Sequence, residues 1–231
     1  MIKLYTAEIS CLKNPDIFNN KYYSLPELRR EKIDKFKFES DKQLSLAAGL
    51  ILKHALSVEN IDISTSSFYN GKYGKPYLAD RSDIYFSLSH SKERVLCAVS
   101  DKELGCDIQY TEENALSKNL NIAKRFFTKN EYSVLLNTSR SNSDESLSND
   151  LFYRIWALKE SVIKACGQGL SLPLDSFESL PSTEYVILSD SKSIKTKYYL
   201  KSYDFLSDYK CSIAALSKDF PDKPTEYDLS L

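Results

Sequence analysis

The sequence predicts an α+β protein built as two halves. Three observations carry this. Strand-like alternating stretches and helix-like stretches occur in both halves of the chain. The 231 residues suffice for one large domain or two small ones. The coarse element order divides near residues 105–120, giving an N-terminal half 1–105 and a C-terminal half 106–231. No residue-level repeat relates the two.

The elements follow in order. Residues Ile2 to Ser10 alternate and read as a strand. A helix is expected from Pro26 to Phe38, dense in Arg29, Arg30, Lys32, Lys35 and Lys37. Ser45 to Leu56 is apolar nearly all round, which predicts a buried helix. Glycine and proline punctuate Asn70 to Pro76 as a loop. Three strands follow, Ile84–His90, Arg94–Ser100 and Leu104–Gln109, the last two joined by the turn Asp101-Lys102-Glu103. The second half opens with a helix around Ile122–Phe127. Thr128 then has the character of an N-cap, with Glu131 as its capping-box partner, for a helix to about Leu136. Asn137 to Asp150, rich in serine, asparagine and acid, is expected to be a mobile surface loop. Leu151 to Cys166 is the most strongly patterned helix, ended by Gly167 and Gly169. Tyr185–Leu188, Lys195–Tyr203 and Tyr209–Leu216 close the chain as strands.

Composition removes several classes. Hydrophobic residues make up 42% and charged residues 27%, the balance of a folded soluble chain. Lysine plus arginine is 31 against 32 acids, a net charge of −1, which disfavours a dedicated nucleic-acid binder. No run approaches the roughly 20 apolar residues of a membrane span. The start Met1-Ile2-Lys3-Leu4 lacks a basic region followed by an apolar core, so a cytoplasmic protein is expected. Five cysteines without CxxC spacing fit neither a disulfide framework nor a zinc site, and Cys97 and Cys106 read as buried thiols.

Four places could carry chemistry. Asp107 and Gln109 share one strand face, Cys106 and Ile108 the other. An aspartate between apolar neighbours is costly to bury unless a metal ion or an arginine compensates it, or the strand end meets solvent. Trp156, Glu160 and Lys164 fall on one helix face. They could serve a site, or form an ordinary surface ion pair between Glu160 and Lys164. In Ser87-Leu88-Ser89-His90-Ser91, a histidine between hydroxyls could donate to a phosphate or be structurally satisfied. His54, inside the apolar helix, reads as structural. Arg29, Arg30 and Lys32, with Lys75 in the glycine loop, could hold phosphates or form solvated faces. There is no GxxxxGK[ST], GxGxxG, GxSxG or HExxH.

Five blocks occur together and in order: YGKPYL, FSLSHS, GCDIQ, RFFTKNEY and WALKESVIKACGQGLSLPLDSF. The set, from about Tyr73 to Phe177, resembles that of the 4'-phosphopantetheinyl transferases of the surfactin-synthetase-activating (Sfp) type. The last block, tryptophan then KESxxK then GxGLSLPL, is the most specific.

The resemblance implies a reaction and a frame. Members transfer the phosphopantetheine arm of coenzyme A to a serine of an apo acyl or peptidyl carrier protein, releasing 3',5'-ADP. They require magnesium, for which manganese can substitute. The implied fold is two similar α/β halves in a pseudo-twofold monomer, with the active site in the cleft between them. The N-terminal half would bind coenzyme A; the C-terminal half would carry metal, catalytic helix and carrier docking. Asp107 and Glu160 would bind the metal, and Glu160 would activate the carrier serine. Lys164 would contact the phosphates. His90 and Ser89 would hold the pyrophosphate, while Lys75 and Pro76 line the coenzyme A site. Arg29, Arg30 and Lys32 fall where members hold the 3'-phosphate. Glu131 falls where members have a glutamate near the metal, a role compatible with the capping box. Lys124, Arg125 and Phe126, within Asn119–Phe127, are the candidate carrier-docking surface. No nucleic acid or membrane partner is implied.

Two other classes remain in view. A non-catalytic binding module should have lost Glu160 or Lys164, and both are present. A magnesium enzyme acting on another nucleotide should lack the YGKP loop, which is intact. One departure stands out: many members have a glutamate where this chain has Gln109. An amide oxygen can coordinate magnesium but brings no charge. Gln109→Glu is therefore expected to lower the half-saturating magnesium concentration of the transfer; an unchanged or higher value would contradict this.

Overall fold

The structure, a computed structural model, describes residues 1–141, 145–189 and 193–231. The first half contains β1 (Lys3–Glu8), α1 (Pro15–Tyr23), α2 (Glu27–Asp34), α3 (Glu39–Ser57), β2 (Phe68–Asn70), β3 (Pro76–Leu78), β4 (Tyr85–Ser91) and β5 (Arg94–Ser100). Then come β6 (Leu104–Tyr110), α4 (Leu116–Phe126), α5 (Lys129–Ser141), α6 (Glu145–Ala165), β7 (Tyr185–Ser189), β8 (Lys195–Tyr203), β9 (Tyr209–Ala215) and β10 (Thr225–Glu226). Mixed sheets and helices of this kind make an α+β fold.

Two four-stranded sheets carry the architecture, in the orders β10-β1-β5-β4 and β6-β9-β8-β7. Alternation along the strands gives each sheet two apolar faces. On β5, Val95, Cys97 and Val99 turn to a core with Leu46, Ile51 and Ala55 of α3. Leu96 and Ala98 turn the other way, into a core with Cys106, Ile108, Cys211 and Ile213 of the second sheet. The far face of that sheet packs on Leu158, Val162 and Ala165 of α6. The layers therefore run α3, sheet, sheet, α6. The end of the chain crosses back: β10 pairs in parallel with β1, Tyr227 stacks on His54 at 4.3 Å, and Leu229 is buried in the α3 core. His54 thus has the structural setting expected of it.

Several local expectations change. α1 was not foreseen, although Asn14-Pro15-Asp16 signals it: Asn14 Oδ1 accepts from the amides of Asp16 and Ile17 at 2.9 and 3.3 Å. α2 ends at Asp34 rather than Phe38. The expected mobile loop Asn137–Asp150 is corrected: α5 continues to Ser141 and α6 begins at Glu145, with residues 142–144 outside the description. Its polar residues serve packing. Ser148 and Asn149 are buried, and Asn149 Oδ1 accepts from Asn119 Nδ2 of α4 at 2.6 Å. Asp150 pairs with both Arg154 and Lys210.

The approach of β6 to α6 decides where the site lies. A Cβ on Gly105 would stand 2.2 Å from Ser161 O and 2.3 Å from Ala165 N. Both are backbone atoms of a helix that cannot yield locally. Only glycine lets β6 lie against the helix this closely. Gly105→Ala is expected to cost about 3 kcal/mol, lowering the melting temperature by about 6–12 °C. A melt within a degree or two of the parent in differential scanning calorimetry would contradict this packing.

Candidate active site

Where the two sheets meet, no backbone ladder joins β4 to β6. Serine side chains make the connection. The alternating serines of FSLSHS face β6. Their hydroxyls accept the amide protons of Cys106 (Ser87, 3.0 Å), Ile108 (Ser89, 3.3 Å) and Tyr110 (Ser91, 2.9 Å). The middle hydroxyl does more. Ser89 Oγ donates to Asp107 Oδ1 at 2.7 Å and accepts from Lys164 Nζ at 2.9 Å. One donor and two acceptor sites per hydroxyl allow all three contacts.

Asp107 is 1% exposed, and its carboxylate is fully partnered. Oδ1 is paired with Lys164 Nζ at 2.6 Å; Oδ2 accepts from Gln109 Nε2 at 2.8 Å. Burial alone would lower the Lys164 ammonium pKa. The charge of Asp107 and the hydrogen bond to it, with Glu160 adding, hold it above its ordinary value instead. The i, i+4 pair Glu160–Lys164 does not form as a salt bridge; the lysine turns to Asp107.

Glu160 makes no hydrogen bond or ion pair among the described residues. Burial raises its carboxyl pKa, and the neighbouring charge of Asp107 raises it further, with Lys164 opposing. His90 is lowered by burial and by the charges of Lys164 and Arg29, against Asp41 and Asp107. Arg29 of α2 therefore reaches the surroundings of His90. Its Nη2 donates to Ser45 O at 2.6 Å, while its Nε is buried without a partner. Burial lowers the Arg29 guanidinium, and burial and then Arg29 lower Lys32. Arg29 and Lys32 thus lie close enough for one charge to act on the other. Arg30 instead lies over the rings of Tyr22 and Tyr23, at 5.8 and 5.6 Å.

Two of the expected site residues make contacts within the fold. Lys75 Nζ donates to Leu104 O at 2.9 Å and to Ala165 O at 2.8 Å. Its ammonium closes the C-terminus of α6 and ties the glycine loop to β6, and burial brings its pKa down to about 8. Pro76 begins β3 beside it. Glu131, expected near a metal, is fully buried with Lys159 at 2.8 Å. Oε1 accepts from Ser179 N at 2.6 Å, and Oε2 from Thr128 N at 2.7 Å, completing the capping box with Glu131 N to Thr128 Oγ1 at 3.1 Å. Both oxygens are engaged within the fold. Lys159 also donates to Leu174 O and Phe177 O, at 2.7 and 2.8 Å. Trp156 packs the same helix against Phe126 and Phe127 at the end of α4.

Comparison with known proteins decides the family. A model of the 4'-phosphopantetheinyl transferase superfamily matches residues 103–214. The 4'-phosphopantetheinyl transferase Sfp of Bacillus subtilis (strain 168) is 35% identical over 210 residues, covering 90% of this chain and 89% of that one. The chain belongs to the 4'-phosphopantetheinyl transferase family. As a transferase of the Sfp type it is also 30% identical over 218 residues to the 4'-phosphopantetheinyl transferase gsp of Aneurinibacillus migulanus, covering 94% of this chain and 86% of that one. A mouse L-aminoadipate-semialdehyde dehydrogenase-phosphopantetheinyl transferase is 34% identical over 165 residues, covering 67% of this transferase and 52% of the longer mouse protein. The amide contacts of Ser87 and Ser91 and the buried network of Lys159 were not foreseen. The spacing of the serines in FSLSHS was the available signal; Lys159 gave none, because an exposed and a buried lysine look alike in sequence.

Proposed function

We propose that this chain transfers the 4'-phosphopantetheine arm of coenzyme A to a serine of an apo acyl or peptidyl carrier protein. The reaction takes place in a cleft between two similar halves of a monomer. The carrier hydroxyl oxygen bonds to the β-phosphorus of coenzyme A as the bond from that phosphorus to the bridging oxygen breaks. 3',5'-ADP leaves, and the serine proton passes to Glu160. The observation that carries this reading is the convergence of Asp107, Lys164 and Ser89 on one spot, with Glu160 and His90 beside it.

The donor set fits magnesium. Among the described residues no cluster of three or more acid, histidine or cysteine side chains stands ready for a metal. Two carboxylates, Asp107 and Glu160, are close enough to raise the second one's pKa. A hard divalent cation relieves such repulsion and habitually takes few protein ligands, completing its shell with water and phosphate oxygens. When bound, it would neutralise pyrophosphate charge from Asp107 and Glu160, with Gln109 as a neutral neighbour.

The chain's own residues do the rest. Phosphoryl-type transfer depends mainly on positioning and charge neutralisation. The unpartnered Arg29 Nε, Lys32 and His90 would bind the coenzyme A phosphates; Arg30, turned to its tyrosines, would add charge nearby. Lys164 would contact the pyrophosphate and steady the leaving oxygen. Glu160, its pKa raised by burial and by Asp107, would accept the serine proton directly or through water. Lys75 and Pro76 would support the coenzyme A site through the backbone of their loop. Exposed Lys124 and Arg125, beside Phe126 on α4, would meet an acidic carrier. No helix among the described residues is long and apolar enough to cross a membrane; a cytoplasmic enzyme is proposed.

The test is the intact mass of apo carriers incubated with this chain, coenzyme A and magnesium. A gain of one phosphopantetheine arm is expected, slowed at least about 100-fold in Glu160→Ala. No gain with carriers from fatty-acid, polyketide and peptide synthesis would overturn the proposal.

A further inference from the structure

We infer that Ser87 and Ser91 are positioning residues for this transfer: they set the register of the strand that carries His90 against the strand that carries Asp107. The inference rests on the transferase reading above. Only Ser89 touches Asp107 and Lys164; the two flanking hydroxyls contact neither, yet each takes an amide of β6.

The three contacts share one offset. Each serine meets an amide nineteen residues on, so the seam is a regular two-residue repeat on both strands. β6 pairs with β9 on its other edge, and β4 with β5. Without the serines, the amides of Cys106, Ile108 and Tyr110 would face a neighbour that offers no acceptor at those points, and unmet amides are costly. A slip that kept serines opposite amides would have to be two residues long. It would carry Asp107 about 7 Å along the seam relative to His90. With three matched contacts instead of one, the slip loses a partner at one end. A hydroxyl interposed between the two backbones also holds them farther apart than the roughly 4.8 Å of a ladder. That separation leaves Ser89 Oγ accessible to Lys164 Nζ as well as to Asp107. Near the buried end the seam is reinforced by Cys106 Sγ, which donates to Ser87 O at 3.3 Å.

The experiment compares the parent with Ser91→Ala, Ser91→Thr and the double variant Ser87→Ala/Ser91→Ala. Coenzyme A affinity is measured by calorimetry, KM and kcat in the carrier assay, and the melting temperature alongside, all well below the lowest melt. The double variant is expected to weaken coenzyme A binding and raise its KM about tenfold, the value of one to two hydrogen bonds. Ser91→Ala should do so about threefold, and Ser91→Thr, which keeps the hydroxyl, should stay near the parent. A lowered melt with unchanged affinity and KM would make the serines structural only and overturn the inference. Should the double variant fail to fold, Ser91→Ala against Ser91→Thr decides alone. A parent that binds coenzyme A but never modifies a carrier overturns the transferase reading, and the affinity ratios still decide the seam. A parent that binds no coenzyme A overturns both.

Discussion

A carboxylate buried where two sheets meet is the constraint around which this molecule is arranged. Asp107 cannot be taken out of water cheaply unless its charge is paired and its lone pairs are met. The partners come from three separate parts of the chain: Ser89 from β4, Gln109 from β6 itself, and Lys164 from α6. Ser89 and Lys164 cannot act until the sheets have docked and the helix lies on β6, which Gly105 permits. Assembly of the fold and assembly of the site are therefore one event. The tension left over is also informative. Glu160 stands beside this knot as a second carboxylate with no hydrogen bond or ion pair among the described residues, and the charge of Arg29 acts on Lys32. A fold optimised for stability alone would not leave like charges so placed.

Helix α6 divides its neighbours Lys159 and Glu160 between two tasks. Successive residues on a helix point about 100° apart. Lys159 turns inward to Glu131, Leu174 O and Phe177 O, tying α5 and the segment after α6 to the helix. Glu160 and Lys164 turn toward Asp107 of β6. A charge pair buried as completely as Glu131–Lys159 gives weak evidence of net stabilisation, but losing either partner strands the other. Its effect here is geometric: it fixes the rotation of the helix that presents Glu160 and Lys164.

Much of this was legible in the sequence, and the rest was hidden for physical reasons. Strands β4, β5 and β6 and the buried helix α3 show in alternation and in all-round apolarity. The Thr128–Glu131 capping box shows in its spacing. The motif order gave the family, and with it the grouping of Asp107, Glu160, Lys164 and His90. What failed was an inference from local composition. Residues Asn137–Asp150 look like a loop because serine and asparagine are frequent there, but Ser148 and Asn149 are buried and Asn149 is bonded to α4. Composition does not reveal a partner supplied by another helix. Glu131 was read in two compatible ways, and the fold uses both its oxygens. Lys75 and Arg30 carry charges that the sequence offered to phosphates; the structure turns one to two carbonyls and the other to two tyrosine rings.

In the reaction we propose, Asp107 would hold both the seam and a divalent metal that assists coenzyme A binding. The direct measurement is coenzyme A affinity by calorimetry, with and without magnesium, for the parent and Asp107→Asn. The account predicts that magnesium tightens binding at least about tenfold in the parent and has little effect in Asp107→Asn. Equal affinity of the parent with and without magnesium, or an undiminished magnesium effect in Asp107→Asn, would contradict it.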